Sequence, residues 1–331
     1  MKNRNRRVIT WLIAGALIIC VVIAAVQLRG SSVRRFPRIA FGEGPTVCRP
    51  RTFVLRTALP TMPSKVRVYK VQPMESMNAE FLKLVEALPI ARSPEDEAKI
   101  ERLKHAPEPQ REENQGLASC IGGWDIMLYP DGQYSLDKID SPAGRNAQAP
   151  SAEEVRRAAD AFVSRTKLLP EGAQFVRVYD CDTSEWGLGD KVVHSRGVVY
   201  ACSLEGITRA GGFTVEVGPR SEIVSVTNKT RHTIPEQPLP ILSPNEALEK
   251  LRSNECHMAD GPSWDATAYV DSIKLMYWES ILAMDLSYIM PVYIFEGEAV
   301  APGKRSVRWK AHVEAVRPEF LEKKPVYKYH E

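Results

Sequence analysis

The stretch GFTVEVGPRSEIVSV, residues 212–226, decides the fold class. Apolar side chains occupy every second position of its first half and polar ones the positions between, as in an antiparallel sheet with one face in water. The apolar positions are Phe213, Val215 and Val217. The segment GPRS at 218–221 is typical of a turn, and a second strand is predicted over 222–228. The stretch therefore predicts a β-hairpin.

A helix with a clear start precedes this hairpin. Ser151 and Glu154 have the spacing of a capping box, in which the hydroxyl and the carboxylate bind free backbone amides at the helix N-terminus. Two further strands are predicted between the helix and the hairpin, at 173–180 and 191–203. Together these segments form a middle α+β module at 151–233.

The same order of elements recurs downstream. Ser243 and Glu246 form a second capping box, and a C-terminal module is predicted over 241–316, with a tail at 317–331. Its strands are predicted at 266–278, 287–296 and 306–316. A rougher N-terminal module, at 59–140, precedes both. The expected fold class is α+β, with tandem modules of a helix packed on a three- or four-stranded antiparallel sheet.

An uncharged run of 19 residues, VITWLIAGALIICVVIAAV at 8–26, follows the basic segment 1–7. At about 1.5 Å per residue, the run nearly spans a hydrocarbon core of roughly 30 Å. It predicts a transmembrane anchor at 8–28 behind a cytoplasmic segment at 1–7, with a cleaved signal peptide as the alternative. The expected location is the cell membrane, in a single pass, with the C-terminal region extracytoplasmic.

Charge is distributed unevenly along the chain. Residues 1–7 carry a net charge of +4 and residues 29–70 a net charge of +9, whereas the whole chain carries +3, so the remainder is at −10. A basic juxtamembrane stalk at 29–58 is suited to anionic lipid or wall polymer, although a solvated linker has the same composition. The acidic remainder argues against a nucleic-acid partner.

The cysteines leave two interpretations open. Outside the apolar run the chain has five, an odd number, so at least one has no intramolecular partner. Cys181 and Cys202 lie at the ends of successive predicted strands and are the preferred disulfide pair. Reduced, buried cysteines are the alternative, because cysteine packs as a small apolar side chain.

Motifs for common catalytic and nucleotide sites are absent from the sequence. Neighbouring Cys256 and His257 do not by themselves make a catalytic pair, and the acidic stretch 180–190 is more typical of a solvated loop than of a cation site. We therefore expect no enzymatic activity, no metal and no cofactor. Four aromatic residues of the last module suggest a partner-binding groove, unless they form the core and its rim. They are Tyr277, Trp278, Tyr293 and Trp309.

Several stretches resemble PepSY-like and YycH/YycI-like bacterial extracytoplasmic proteins. They include SPNEALEKL at 243–251, YIMPVYIFEG at 288–297 and SAEEVRRAADAF at 151–162. The resemblance implies a membrane-anchored, non-enzymatic regulator that binds a sensor kinase or a peptidase of the cell envelope. It supplies no catalytic residues. The competing hypothesis is a binding module for wall polymer or a small ligand at the cell surface.

Overall fold

The computed structural model describes residues 35–39, 50, 52–108, 116–139, 149–182, 193–262, 264–279 and 287–322. The chain divides into two compact units. One comprises residues 1–38 and 318–331, in which Phe36 forms a parallel bridge with Leu321 and its amide donates to the Phe320 carbonyl over 2.8 Å. The other, residues 39–317, holds all the helices and strands described below.

The described residues of the second unit form four α-helices and fourteen strands. The helices are α1 (Met77–Ala87), α2 (Pro94–His105), α3 (Ala152–Thr166) and α4 (Pro244–Arg252). The strands are β1 (Thr52–Leu55), β2 (Lys65–Val71), β3 (Leu117–Ile121), β4 (Trp124–Leu128), β5 (Tyr134–Lys138), β6 (Gln174–Asp182), β7 (Val193–Leu204), β8 (Ile207–Val217), β9 (Ile223–Asn228), β10 (Thr233–Pro240), β11 (His257–Asp260), β12 (Thr267–Trp278), β13 (Tyr288–Val300) and β14 (Val307–Glu314). Capping boxes begin α3 at Ser151 and α4 at Ser243, which confirms both helix starts.

All fourteen strands belong to one mixed sheet. Seven of them run antiparallel in the order β6-β7-β8-β9-β5-β4-β3. Strand β8 meets β12 at a single parallel pair, Arg209 with Tyr277. Strands β12, β13, β14 and β11 follow in antiparallel order. Strand β1 pairs in parallel with β12. Strand β2 pairs antiparallel with both β13 and β10.

Two hydrophobic cores lie against this sheet. One core joins the apolar faces of α1 and α3 to the seven antiparallel strands, with Phe81, Phe162 and Phe213 among its buried side chains. The other surrounds Leu248 of α4 and the strands from β12 to β14. Strand β2 contributes to this second core, while the helices that follow β2 contribute to the first.

The expected fold class is wrong, because the structure has one large mixed sheet in place of tandem small ones. Strand β5 pairs with β9, and β2 pairs with β13, so strands from separate predicted modules share hydrogen bonds. Periodicity within a strand identifies which side chains share a face, but it contains no information about which strand lies alongside. The sequence therefore located several strands, among them β6 to β9 and β12 to β14, but missed β1, β3, β10 and β11 and did not indicate the strand order.

The expected transmembrane anchor and single-pass location also need correction. The apolar run at 8–26 lies outside the described residues. Among the residues that are described, no helix combines the length and apolar character needed to cross a membrane. The predicted anchor and single-pass location therefore have no support among the described residues.

Candidate protein-binding edge

Strand β6 lies at one edge of the seven antiparallel strands. Within the described part of the chain it pairs with β7 alone. An edge strand presents a row of backbone N–H and C=O groups along its outer side, and these groups can pair with a strand from another chain. The position of β6 in the sheet therefore makes it a candidate binding edge.

A β-bulge divides this strand into two parts. Phe175 pairs with Tyr200 and Arg177 pairs with Val199, so Val176 is an extra residue in β6. Bulges on edge strands interrupt regular pairing and increase the local twist. Pairing is regular again from Arg177 to Cys181, which leaves five residues available as a regular outer edge.

Two large apolar side chains of β6 are exposed to solvent. Phe175 is 36% exposed and Val176 is 52% exposed, although neighbouring strands bury most of their apolar residues. The guanidinium of Arg156, on α3, lies 4.1 Å from the centroid of the Phe175 ring and covers one of its faces. The apolar pair therefore flanks the free edge, where a partner strand would bury it.

The charges of β6 differ in how they are compensated. Asp180 accepts a hydrogen bond of 2.6 Å from Arg196 Nε. Arg177 is exposed and lies 5.8 Å from the centroid of the Tyr179 ring, and no carboxylate among the described residues forms an ion pair with it. Among the described residues, Arg177 is thus a positive charge at the edge without a carboxylate partner.

The sheet face beside the edge holds a hydrogen-bonded cluster. Cys181 lies directly across from Ser195 of β7, and the Ser195 hydroxyl donates to Glu216. Burial, followed by the charge of Glu216, raises the pKa of the Cys181 thiol. Burial likewise raises the pKa of Tyr179 to about 12. Because thiolate is the reactive form of cysteine, the raised pKa makes the Cys181 thiol less reactive at neutral pH.

The structure does not bring the predicted disulfide pair together. Cys181 pairs with Ser195 in β7, and Cys202 lies seven residues farther along the same strand. At about 3.3 Å per residue this separation is roughly 23 Å, whereas the Cα atoms of a disulfide lie under about 7 Å apart. Both cysteines are free thiols, and Cys202 is buried, as in the alternative interpretation.

Most of the predicted aromatic groove is buried. Tyr277 and Tyr293 have no exposed surface, and Trp309 is 2% exposed. The Tyr277 hydroxyl donates to the Arg67 carbonyl over 2.8 Å, and the Tyr293 hydroxyl donates to the Leu242 carbonyl over 2.6 Å. The Trp309 indole N–H donates to the Tyr269 carbonyl over 3.1 Å. Trp278 alone is partly exposed. Three of the four candidates therefore lie in the core, out of reach of a partner.

His257, the neighbour of Cys256 in sequence, lies on β11 and pairs across strands with His312, and the two rings stack with centroids 5.9 Å apart. The ring of Trp278 lies 4.6 Å from that of His312. His312 is 4% exposed, so this cluster packs one of its histidines inside the protein.

We expect His312 to make stability fall in acid. Burial, then His257 and Lys310, lowers the pKa of His312 to about 4, against the opposite effect of Glu296. The unfolded chain therefore binds a proton near pH 6.5 that the folded chain does not bind until about pH 4. Up to about 3 kcal/mol of stability should be lost as pH falls through this window. Urea unfolding between pH 7.5 and 4 measures it.

The substitution His312→Gln supplies the control for this pH dependence. It removes the titrating group, so the variant should show a flatter dependence of unfolding free energy on pH between 6.5 and 4. Its stability at pH 7.5 records the separate effect of altered packing. Equal pH slopes for the variant and the wild type would contradict the assignment.

The remaining predicted sites are only partly described. The acidic stretch 180–190 extends beyond Asp182 into residues outside the description, as does much of the stalk at 29–58. Across the described ranges, no group of three or more His, Cys, Asp or Glu side chains is arranged to hold a metal ion.

The sequence predicted a strand at 173–180 but did not indicate that its residues could bind a partner. The feature that could have indicated a binding role is the run FVRVY at 175–179, which lacks the regular alternation of polar residues expected of a half-buried strand.

Comparison with known proteins leaves the chain without an assigned family. No family model matches it, and no curated protein matches it. One similar solved structure is that of an uncharacterized protein from Eubacterium rectale ATCC 33656, at 12% sequence identity and a TM-score of 0.38. The match covers 77% of this chain and 86% of that one. A likeness at this TM-score carries no argument about fold or function.

Proposed function

We propose that this protein is a non-enzymatic interaction protein that binds another polypeptide by strand addition at β6. The observation that carries the proposal is the outer side of β6, which pairs with no other strand among the described residues, with Phe175, Val176 and Arg177 exposed beside it. In strand addition, main-chain hydrogen bonds provide affinity and alternate side chains provide specificity. The resemblance to PepSY-like and YycH/YycI-like regulators supports a sensor kinase or a peptidase as the source of that polypeptide.

The chemistry of the edge defines the segment that would bind. It must be extended, so that its backbone can pair with β6, and it needs apolar side chains to cover Phe175 and Val176. It also needs a carboxylate for Arg177, because Asp180 is already paired with Arg196. A hydrogen bond between guanidinium and carboxylate is stronger than one between neutral groups, so the acidic residue should determine specificity.

Selection from a library of random nonapeptides against the purified full chain tests the proposal. The enriched peptides should combine alternating apolar residues with an acidic residue. Binding of synthetic versions, measured by fluorescence anisotropy, should weaken about tenfold or more in Arg177→Glu, because a like charge then faces the acidic side chain. The control Arg220→Glu makes the same charge change at an exposed turn residue and should leave binding unchanged.

Two outcomes would refute the proposal. One is a selection that enriches no peptide over an unrelated folded protein of similar charge. The other is a set of peptides that bind wild type, Arg177→Glu and Arg220→Glu with equal affinity, since their site would then lie away from β6.

A further inference from the structure

We infer that the peptide bound at β6 carries an aromatic side chain that packs against Phe175 and Arg156; the inference rests on the function proposed above. Phe175 pairs with Tyr200, so its side chain lies on the face of the sheet that α3 covers. Arg177 pairs with Val199 and lies on the opposite face. A peptide added at β6 therefore meets a different surface on each face of the sheet.

Three aromatic rings form a row across β8, β7 and β6 on the face that α3 covers. The ring centroids of Phe213 and Tyr200 lie 6.1 Å apart and those of Tyr200 and Phe175 lie 6.4 Å apart, and both pairs meet edge to face. Exposure rises along the row, from 0% at Phe213 and 3% at Tyr200 to 36% at Phe175. A strand added to β6 supplies the next position of the row, because side chains opposite each other on adjacent strands share a face.

Arg156 is held at the exposed end of this row. Its guanidinium lies 4.1 Å from the centroid of the Phe175 ring, and its side chain is 53% exposed. Asp160 Oδ2 lies 3.6 Å from Arg156 Nε, and Asp160 Oδ1 accepts a hydrogen bond of 2.7 Å from the Tyr200 hydroxyl. One carboxylate thus connects the guanidinium to the middle ring of the row.

An aromatic side chain fits the next position of the row better than an aliphatic one. Edge-to-face contact between two rings is favourable beyond the area that they bury, and a guanidinium is attracted to the face of a ring. Leucine would bury apolar area without either contact. Because Phe175 and Arg177 lie on opposite faces and successive residues of a strand alternate faces, the aromatic and the acidic residue of the peptide should be an odd number of positions apart.

Fluorescence anisotropy of a selected peptide and of its aromatic-to-leucine version, with the purified full chain, tests the inference. The leucine version should bind wild type about tenfold more weakly than its parent. In Arg156→Gln, which removes the guanidinium, this difference should shrink to about threefold. The matched control Arg157→Gln makes the same change at the next, exposed residue of α3 and should keep the full difference.

The possible failures separate this inference from the proposed function. Selected peptides that lose affinity in Arg177→Glu but show no enrichment of aromatic residues would overturn the inference and leave strand addition in place. An equal effect of the leucine substitution in wild type and in Arg156→Gln would also overturn the inference alone. If no peptide is enriched, or if Arg177→Glu binds the peptides as tightly as wild type, both the inference and the proposed function fail.

Discussion

Replacing Glu279 with alanine is expected to lower the free energy of unfolding by about 3–5 kcal/mol. The Glu279 side chain is fully buried, and it accepts hydrogen bonds from Arg209 Nε at 2.9 Å and from the Arg231 amide at 3.1 Å. Arg231 in turn binds Asp131 across 2.6 Å. Without Glu279, the Arg209 guanidinium remains buried with no compensating carboxylate. Urea unfolding of the variant measures the loss.

Two controls separate this effect from ordinary loss of an ion pair. Glu249→Ala breaks an exposed pair with Arg252 and should change stability by no more than about 1 kcal/mol. The double variant Arg209→Met with Glu279→Leu removes both buried charges and should recover much of the stability lost in Glu279→Ala. A loss below about 1 kcal/mol in Glu279→Ala would contradict the buried pair.

Gly297→Ala is expected to destabilise the protein by about 3 kcal/mol or more. A Cβ at this position would overlap the Tyr269 carbonyl oxygen and would lie 3.1 Å from the Asp271 amide nitrogen. Both atoms belong to the backbone of β12, where a bulge interrupts the pairing between Val270 and Ser272. Because backbone atoms cannot turn aside as a flexible side chain can, the strands must separate. Thermal and urea unfolding give the magnitude.

Gly303→Ala is the matched control for this steric effect. Gly303 has a φ of 69° and open space around the position of an added Cβ, so its substitution adds conformational strain without a clash. That strain should cost roughly 1–2 kcal/mol. Equal losses for the two variants would mean that no close approach exists at Gly297.

Local features of the fold were accessible from the sequence. The hairpin at 212–226 forms as predicted, with Val215 paired to Val226 between β8 and β9. The capping boxes at Ser151 and Ser243 begin their helices as predicted. These features depend on residues close together in the chain, so the amino-acid sequence alone is enough to predict them.

Long-range features were not accessible in the same way. The parallel pair of Arg209 with Tyr277 joins segments that are far apart in sequence and share no motif. The status of β6 as an edge strand depends on which strands surround it, and periodicity cannot supply that order. The aromatic residues of the last module were candidates for a groove because aromatic density is common to cores and interfaces; burial of Tyr277 and Trp309 distinguishes the two.

Hydrogen–deuterium exchange of the full chain, with and without a selected peptide, tests the central claim most directly. Strand addition gives the outward amides of β6 new hydrogen-bond partners, so exchange at 174–182 should slow when the peptide is bound. Arg177→Glu, at the same peptide concentration, should show much less protection there. Protection confined to another segment, or none at all in β6 with peptide bound, would contradict the account.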